Sequence, residues 1–206
     1  MTELVIHQEE WERGLTMNSL IDEMTVNQAA MRRRFNLVSL TDAEKSRLAN
    51  LKIPRRILVM TEEWCSDCLM NLPILARLAE AVAATEIRFF IRKDWPEFRA
   101  YFNERDIYSL PTVQIMDEAF TPLGVWVERP QAAHDWLAQW KADHPEVERT
   151  RRRADLTSDQ KREMLREASE RLLVEMERCY NQELQSETVR EVTEVLEALE
   201  KDPQGV

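Results

Sequence analysis

Glycine is scarce in this sequence: the 206 residues include only Gly14, Gly124 and Gly205. So few glycines argue against a turn-rich β protein, while the abundant glutamate, arginine, leucine and alanine favour helix. A hydrophobic content of 44% is enough for a proper core. We therefore expect one domain with extensions, mostly helical around a small sheet.

An excess of positive charge is also missing, because the formal net charge is −10 at pH 7. Attraction to phosphate needs a cationic face, so the composition argues against a general nucleic-acid-binding protein. Two short basic clusters, at residues 32–34 and 149–153, lie beside acidic helical sequence. We interpret both as solvated or salt-bridged surface.

Long apolar runs are lacking as well, since none approaches the length of a transmembrane helix. Leu4, Val5 and Ile6 are followed by His7 and acidic residues, so the start has neither a cationic segment nor a secretory apolar core. We expect a cytoplasmic protein with no membrane association. In that compartment a Cys-x-x-Cys pair is more often redox-active or metal-binding than a stable disulfide.

Such a pair, Cys65 and Cys68, is the centre of the sequence. An apolar run at residues 57–60 indicates a strand before it, and apolar residues at helical spacing follow from about Asp67. This turn presents Cys65 at the start of a helix, where free N–H groups and the macrodipole stabilise a thiolate. Cys68, one turn into the helix, is placed to close a disulfide with it.

Further patterns surround this turn. We predict strands at residues 56–61, 86–91, 112–116 and 123–128, and helices at about 41–51, 67–84, 95–104 and 130–144. The helix from Thr41 opens with a capping-box signature that includes Glu44. The order of elements is therefore β-α-β-α-β-β-α after the first of these helices.

With these features in order, residues 41–141 resemble the thioredoxin superfamily. The resemblance rests on residues 64–68 (Trp-Cys-Ser-Asp-Cys), on Pro73 and on residues 110–112 (Leu-Pro-Thr) before a strand. It implies an α/β thioredoxin-like fold with a central mixed sheet of about four strands flanked by helices. The Asp before the second cysteine is similar to that of a W-C-x-D-C subgroup. Residues 124–126, together with Arg129 and Pro130, resemble the ending of a bacterial thioredoxin-like subgroup.

The resemblance also implies roles for the residues around the dithiol. Cys65 is expected to be the nucleophile and Cys68 the resolving cysteine, with Trp64 and Asp67 beside them. Pro111 corresponds to a proline that is cis in the superfamily and packs against the dithiol, and a backbone group of Leu110 would hydrogen-bond an extended substrate. The implied partners are a protein or low-molecular-weight disulfide and an unidentified reductant.

The chain departs from thioredoxin at one position that matters for proton transfer. Val59 stands where thioredoxin has a buried acid, six residues before the first cysteine. Asp67 is a partial replacement, because its carboxylate can move protons for Cys68 but also disfavours a thiolate beside it. The sequence leaves the balance between these two effects open.

Zinc is the main chemical alternative for the cysteine pair. A tetrahedral site needs two further ligands, and Cys179, His7, His134 and His144 show no paired spacing. We therefore predict no metal ligands and no cofactor, and interpret Cys179 as a small buried hydrophobe on a helix.

Both ends of the chain extend beyond the thioredoxin-like part. We place an N-terminal helical extension at residues 1–40, the domain at residues 41–145, and a connector with a C-terminal helical extension at residues 146–206. The connector, residues 146–156, is charged and unpatterned. Thr157 opens another capping box, with Gln160 as its partner.

Two apolar stripes follow Thr157, and their register shifts between residues 181 and 186. This pattern fits a helical hairpin or one bent helix. We expect the stripes to cover apolar surface, either on the same chain or in a homodimer formed through these helices.

Two functions remain open at this point. The first is a thiol–disulfide oxidoreductase that acts through Cys65 and Cys68. The second is a redox-inactive or redox-sensing binding or scaffold protein that uses its helical extensions. The presence of both cysteines favours the first, and the size of the extensions favours the second.

Overall fold

The structure, a computed structural model, describes residues 4–202. The helices are α1 (Gln8–Arg13), α2 (Met17–Glu23), α3 (Gln28–Leu37), α4 (Asp42–Leu48), α5 (Ser66–Ala81), α6 (Pro96–Asn103), α7 (Gln131–Asp143), α8 (Pro145–Arg152), α9 (Ser158–Cys179) and α10 (Gln185–Lys201). The strands are β1 (Arg56–Thr61), β2 (Glu86–Ile91), β3 (Thr112–Met116) and β4 (Pro122–Val127).

The four strands form one mixed sheet in the order β2-β1-β3-β4. β1 pairs in parallel with β2 and antiparallel with β3, so that Val59 lies between Phe89 and Val113. β1 and β3 are almost continuously buried because both are central strands covered on both faces. The mixed four-stranded sheet expected from the resemblance is confirmed.

The N-terminal helices are attached to the edge of this sheet. Leu15 and Phe89 exchange two backbone hydrogen bonds, of 2.9 and 2.8 Å, which give β2 an antiparallel neighbour. Gly14 lies so close to the strand that a Cβ there would be 2.5 Å from Phe90 Cζ. The extension therefore covers an edge that would otherwise expose unpaired backbone groups.

The stripe of α10 is buried on the same chain. Val189, Val192, Leu196 and Leu199 are all buried. Trp126 on β4 donates its indole N–H to Glu191 at 3.0 Å, and Arg47 on α4 donates to Glu197 at 2.7 Å. This stripe is thus covered within the chain, and the expected homodimer stays a prediction.

No turn separates α9 from α10. Tyr180–Leu184 is a π-helical segment, so the helix is continuous rather than a hairpin. A π segment adds a residue to the helical turn and shifts the phase of the side chains that follow it. It accounts for the register shift between the two stripes.

The described residues form two compact units. One contains the residues up to Arg129 together with those from Thr188 onward, and the other is Pro130–Glu187. The sequence-based boundaries after residues 40 and 145 stay predictions. Inside the second unit, the indole N–H of Trp140 donates to Glu175 at 2.8 Å.

One part of the sequence analysis is wrong. Residues 146–156 are not an unpatterned connector, because α8 occupies most of them. Pro145 lies in the first turn, acids follow it, and arginines occupy the last turn, which suits the helix dipole. Only Val147 is buried, so α8 carries no apolar stripe by which it could be recognised.

Two smaller expectations also differ. Cys179 is half-buried rather than buried, because most of the α9 stripe keeps partial exposure. In the first basic cluster Arg32 is paired with Asp22 at 2.7 Å as expected, but Arg34 is buried and donates to the Met70 carbonyl at 3.4 Å.

No helix among residues 4–202 is both long and apolar enough to cross a membrane.

Candidate functional site

The dithiol lies at the junction of β1 and α5. Cys65 is the N-cap of α5, and its Sγ accepts the backbone N–H of Cys68 at 3.3 Å. This N–H is one of the donors that the first turn of a helix leaves unpaired. The local sequence therefore places the Cys65 sulfur where a negative charge is stabilised.

The two cysteines differ in exposure. Cys65 keeps 9% of its surface exposed and Cys68 none. Of the two cysteines, only Cys65 is therefore accessible from solvent, and the roles of nucleophile and resolving cysteine stay predictions.

Their acidities differ in the same direction. The pKa of Cys65 is lowered, first because the Cys68 thiol donates a hydrogen bond to its sulfur. The pKa of Cys68 is raised well above its usual value because the thiol is fully buried, and a charged Cys65 adds to this effect. Because the two pKa values move in opposite directions, Cys65 loses its proton at a lower pH than Cys68.

The loop before β3 packs against the first cysteine. The Leu110–Pro111 peptide bond is cis, as the resemblance implies. The Cys65 Sγ lies 3.5 Å from the Leu110 carbonyl oxygen. Residues that are 45 positions apart are thus brought to one side of the dithiol.

A groove of about 400 Å³ opens beside Cys65. Its lining includes Trp64, Asp67 and Leu110 from the sequence prediction, together with Tyr108. The Trp64 and Tyr108 side chains are 62% and 60% exposed, which is unusual for large aromatic residues. They give the groove two apolar surfaces on which a substrate can lie.

Arg92 connects these two aromatic residues and was not recognised from the sequence as part of the site. It lies over the Trp64 ring, with its guanidinium carbon 5.9 Å from the ring centre, and donates to the Tyr108 carbonyl at 3.1 Å. Its Nε is 3.8 Å from the buried carboxylate of Glu62. The only signal in the sequence was the Arg92–Lys93 pair after a strand, which does not indicate a position beside the dithiol.

Asp67 is paired with a second arginine that the sequence analysis did not assign to the site. Arg129 contacts the Asp67 carboxylate at 2.5 Å and that of Glu128 at 2.7 Å. The Asp67 and Arg129 side chains are only 9% and 10% exposed. The acid beside the dithiol is therefore held as an ion pair. Val59, where thioredoxin has its buried acid, is fully buried in β1.

The N-terminal extension holds the loop that precedes Cys65. The Glu63 carboxylate accepts the backbone N–H groups of Thr25 at 2.6 Å and of Val26 at 3.0 Å. Asn27 donates its side-chain amide to the Glu63 carbonyl at 3.0 Å. These bonds lower the pKa of Glu63, chiefly through the backbone of Thr25. The extension thus fixes the position of the loop that precedes Cys65.

No group of three or more potential metal ligands is arranged around one point in residues 4–202.

Four of the expected site residues line one groove, namely Trp64, Cys65, Asp67 and Leu110. Cys68 lies buried behind Cys65, and Pro111 follows Leu110 in the adjoining loop.

The thioredoxin family model matches residues 14–141, which is more than half of the chain. No curated protein matches the sequence. Among solved structures, a protein of unknown function from Pseudomonas aeruginosa is similar over 95% of this chain and 99% of its own, with a TM-score of 0.64 and 19% identity. An HIV epitope scaffold is similar over 94% of this chain and 99% of its own, with a TM-score of 0.61 and 20% identity. At these identities the two structures support the fold alone.

Proposed function

The chain belongs to the thioredoxin family, and we propose that it is a thiol–disulfide oxidoreductase that reduces protein or low-molecular-weight disulfides through Cys65 and Cys68. The observation that carries the proposal is the placement of the Cys65 sulfur at the N-cap of α5, 3.3 Å from the N–H of Cys68. The sulfur that is stabilised as a thiolate is also the one that faces the groove.

In the first step, the Cys65 thiolate attacks one sulfur of the substrate disulfide. The substrate S–S bond breaks, a mixed disulfide with Cys65 forms, and the first substrate sulfur leaves as a thiolate that takes a proton from water. The exposed rings of Trp64 and Tyr108 contact the substrate beside this sulfur.

In the second step, Cys68 loses its proton and attacks the Cys65 sulfur. The mixed disulfide breaks, the Cys65–Cys68 disulfide forms, and the second substrate sulfur leaves and is protonated. The substrate gains two electrons and two protons, and the protein dithiol is oxidised by the same amount. A separate thiol reductant must return the dithiol to its starting state.

The proposal includes two finer assignments: membership of the W-C-x-D-C subgroup, based on Trp64, Asp67 and the two cysteines, and a cytoplasmic place of action. Both rest on the sequence. Fractionation of cells that carry the tagged protein tests the second.

Trapping of the mixed disulfide tests the mechanism. In the Cys68→Ser variant the second step is blocked, so incubation with insulin or with oxidised glutathione should leave the substrate attached to Cys65. Intact-mass spectrometry followed by peptide mapping locates the adduct. Cys65→Ser should form no adduct in the groove. The double variant Cys68→Ser with Cys179→Ser is the matched control and should trap the same adduct as Cys68→Ser alone.

A second candidate function is a binding module, and one observation favours it. Met164 and Val174 on α9 are 54% and 68% exposed, although both are large and apolar. If binding is the main function, loss of both cysteines leaves partner capture intact and Met164→Glu with Val174→Glu abolishes it. Pull-downs with these two variants separate the functions.

A further inference from the structure

Asp67 places a carboxylate inside the active-site turn, between the two cysteines in sequence. Its negative charge acts against a thiolate at Cys65, and burial strengthens this effect because little water screens it. A turn with an uncompensated acid at this position is therefore a poor site for a nucleophilic thiolate.

Arg129 lies between β4 and α7, and its guanidinium compensates the charge of the Asp67 carboxylate. Its Nη2 lies 2.5 Å from Asp67 Oδ2, and both side chains are about nine-tenths buried. A contact this close and this sheltered from solvent is weakly screened by salt. The same nitrogen lies 2.7 Å from Glu128 Oε1, so the guanidinium lies between two carboxylates.

We propose that Arg129 is a positioning residue for the dithiol, because it holds Asp67 as an ion pair whose charge opposes the Cys65 thiolate less than an unpaired carboxylate would. This inference deepens the proposed function, on which it rests for its biological meaning. Arg129 acts through Asp67 and does not itself need to touch the substrate.

The other charged or titratable groups at the site do not replace this pair. They are Cys68 on α5, Glu62 before the turn, Arg92 after β2, Tyr108 before the cis-proline and Glu128 after β4. Arg92 lies 3.8 Å from the Glu62 carboxylate, so the positive charge of Arg92 is offset by the negative charge of Glu62. Glu128 shares Arg129 with Asp67 and adds to the negative charge that Arg129 must balance.

The pH dependence of Cys65 alkylation tests the proposal. The reduced variants are treated briefly with iodoacetamide over a pH series, and peptide mapping follows Cys65 separately from Cys68 and Cys179. We expect Arg129→Gln to raise the midpoint by roughly one pH unit, which is about tenfold less thiolate below the midpoint. Arg129→Lys keeps the charge and should stay closer to the parent.

Removal of both charges separates this role from a merely structural one. The double variant Asp67→Asn with Arg129→Gln again carries no net charge at the pair, so its midpoint should return to within about half a unit of the parent. Arg47→Gln, which loses an ion pair with Glu197 on another part of the unit, is the control and should not move it.

A midpoint that is unchanged in folded Arg129→Gln overturns the proposal, as does a double variant that keeps the raised value. If Arg129→Gln does not fold, the double variant decides: a midpoint more than about half a unit from the parent contradicts charge compensation. Alkylation needs no disulfide substrate. It therefore tests this inference even if the mixed disulfide of the proposed function never forms.

Discussion

Thr188 on α10 donates its hydroxyl to the side-chain carbonyl of Asn71 on α5 at 2.8 Å, and both residues are fully buried. The amide of Asn71 in turn donates to the carbonyls of Asp67 at 3.1 Å and of Glu128 at 3.2 Å. The C-terminal helix is thus connected by a chain of hydrogen bonds to the turn that carries the two cysteines and to the segment that carries Arg129.

Thr188→Val should destabilise the protein by about 1–3 kcal/mol, because it leaves a buried amide oxygen with one fewer donor. Urea unfolding at pH 7 measures the loss. Thr193→Val is the matched control on the same helix: its hydroxyl donates to the Val189 carbonyl at 2.6 Å, and the helix backbone also satisfies this carbonyl. Equal losses in the two variants would contradict the special role of Thr188.

Glu63→Gln should weaken the attachment of the N-terminal extension in a pH-dependent way. The pKa of Glu63 is lowered from its ordinary value of 4.5, so its stabilising effect is present above that pH and is lost as the pH falls through the folded-state value. The difference in unfolding free energy between the parent and Glu63→Gln should therefore be larger at pH 7 than at pH 3. The exposed Glu23→Gln serves as control, and a difference independent of pH would refute the assignment.

Gly14→Ala should destabilise the protein by about 1–3 kcal/mol through overpacking. The added methyl would lie 2.5 Å from Phe90 Cζ and 2.8 Å from Arg88 Cβ. At Gly124 the nearest atoms are Leu199 Cδ1 at 3.2 Å and Val195 Cγ1 at 3.3 Å, so Gly124→Ala should cost less. Hydrogen exchange at Leu15 and Phe89 reports whether the extension has separated from β2; unchanged protection in Gly14→Ala would argue against the close contact.

Cys65 and Cys68 should differ in their reaction with iodoacetamide as the pH rises. Since the pKa of Cys65 is lowered from 9.0 and that of Cys68 is raised above it, Cys65 should react with a midpoint below pH 9 and Cys68 should stay unmodified there. Peptide mapping after brief alkylation gives both profiles. A Cys68 that reacts at lower pH than Cys65 would reverse the assignment of nucleophile and resolving cysteine.

Local patterns were sufficient to predict the elements around the dithiol. The apolar strand before Cys65 and the helix after it produce signals over a few residues, and the capping boxes at Thr41 and Thr157 are present as expected. The helix α8 was missed because its single buried residue, Val147, gives no periodicity.

The contacts that tune the site could not be predicted in the same way. Arg129 reaches Asp67 across 62 residues, and Thr25 reaches Glu63 across 38. Such pairs form because the sheet and the extension bring distant segments together, and a charge in a single sequence does not indicate which opposite charge it will meet. Asp67 could therefore be identified from the sequence, but its ion pair could not.

Redox titration of the dithiol tests the proposed function most directly. The protein is equilibrated in glutathione buffers of stepped potential, and its free thiols are trapped with a mass-tagged alkylating reagent, with Cys65→Ser and Cys179→Ser in parallel. The expected result is one reversible two-electron transition in the parent and in Cys179→Ser, at a potential between roughly −320 and −180 mV, and none in Cys65→Ser. If no reversible Cys65–Cys68 disulfide forms in this range, the oxidoreductase function is contradicted.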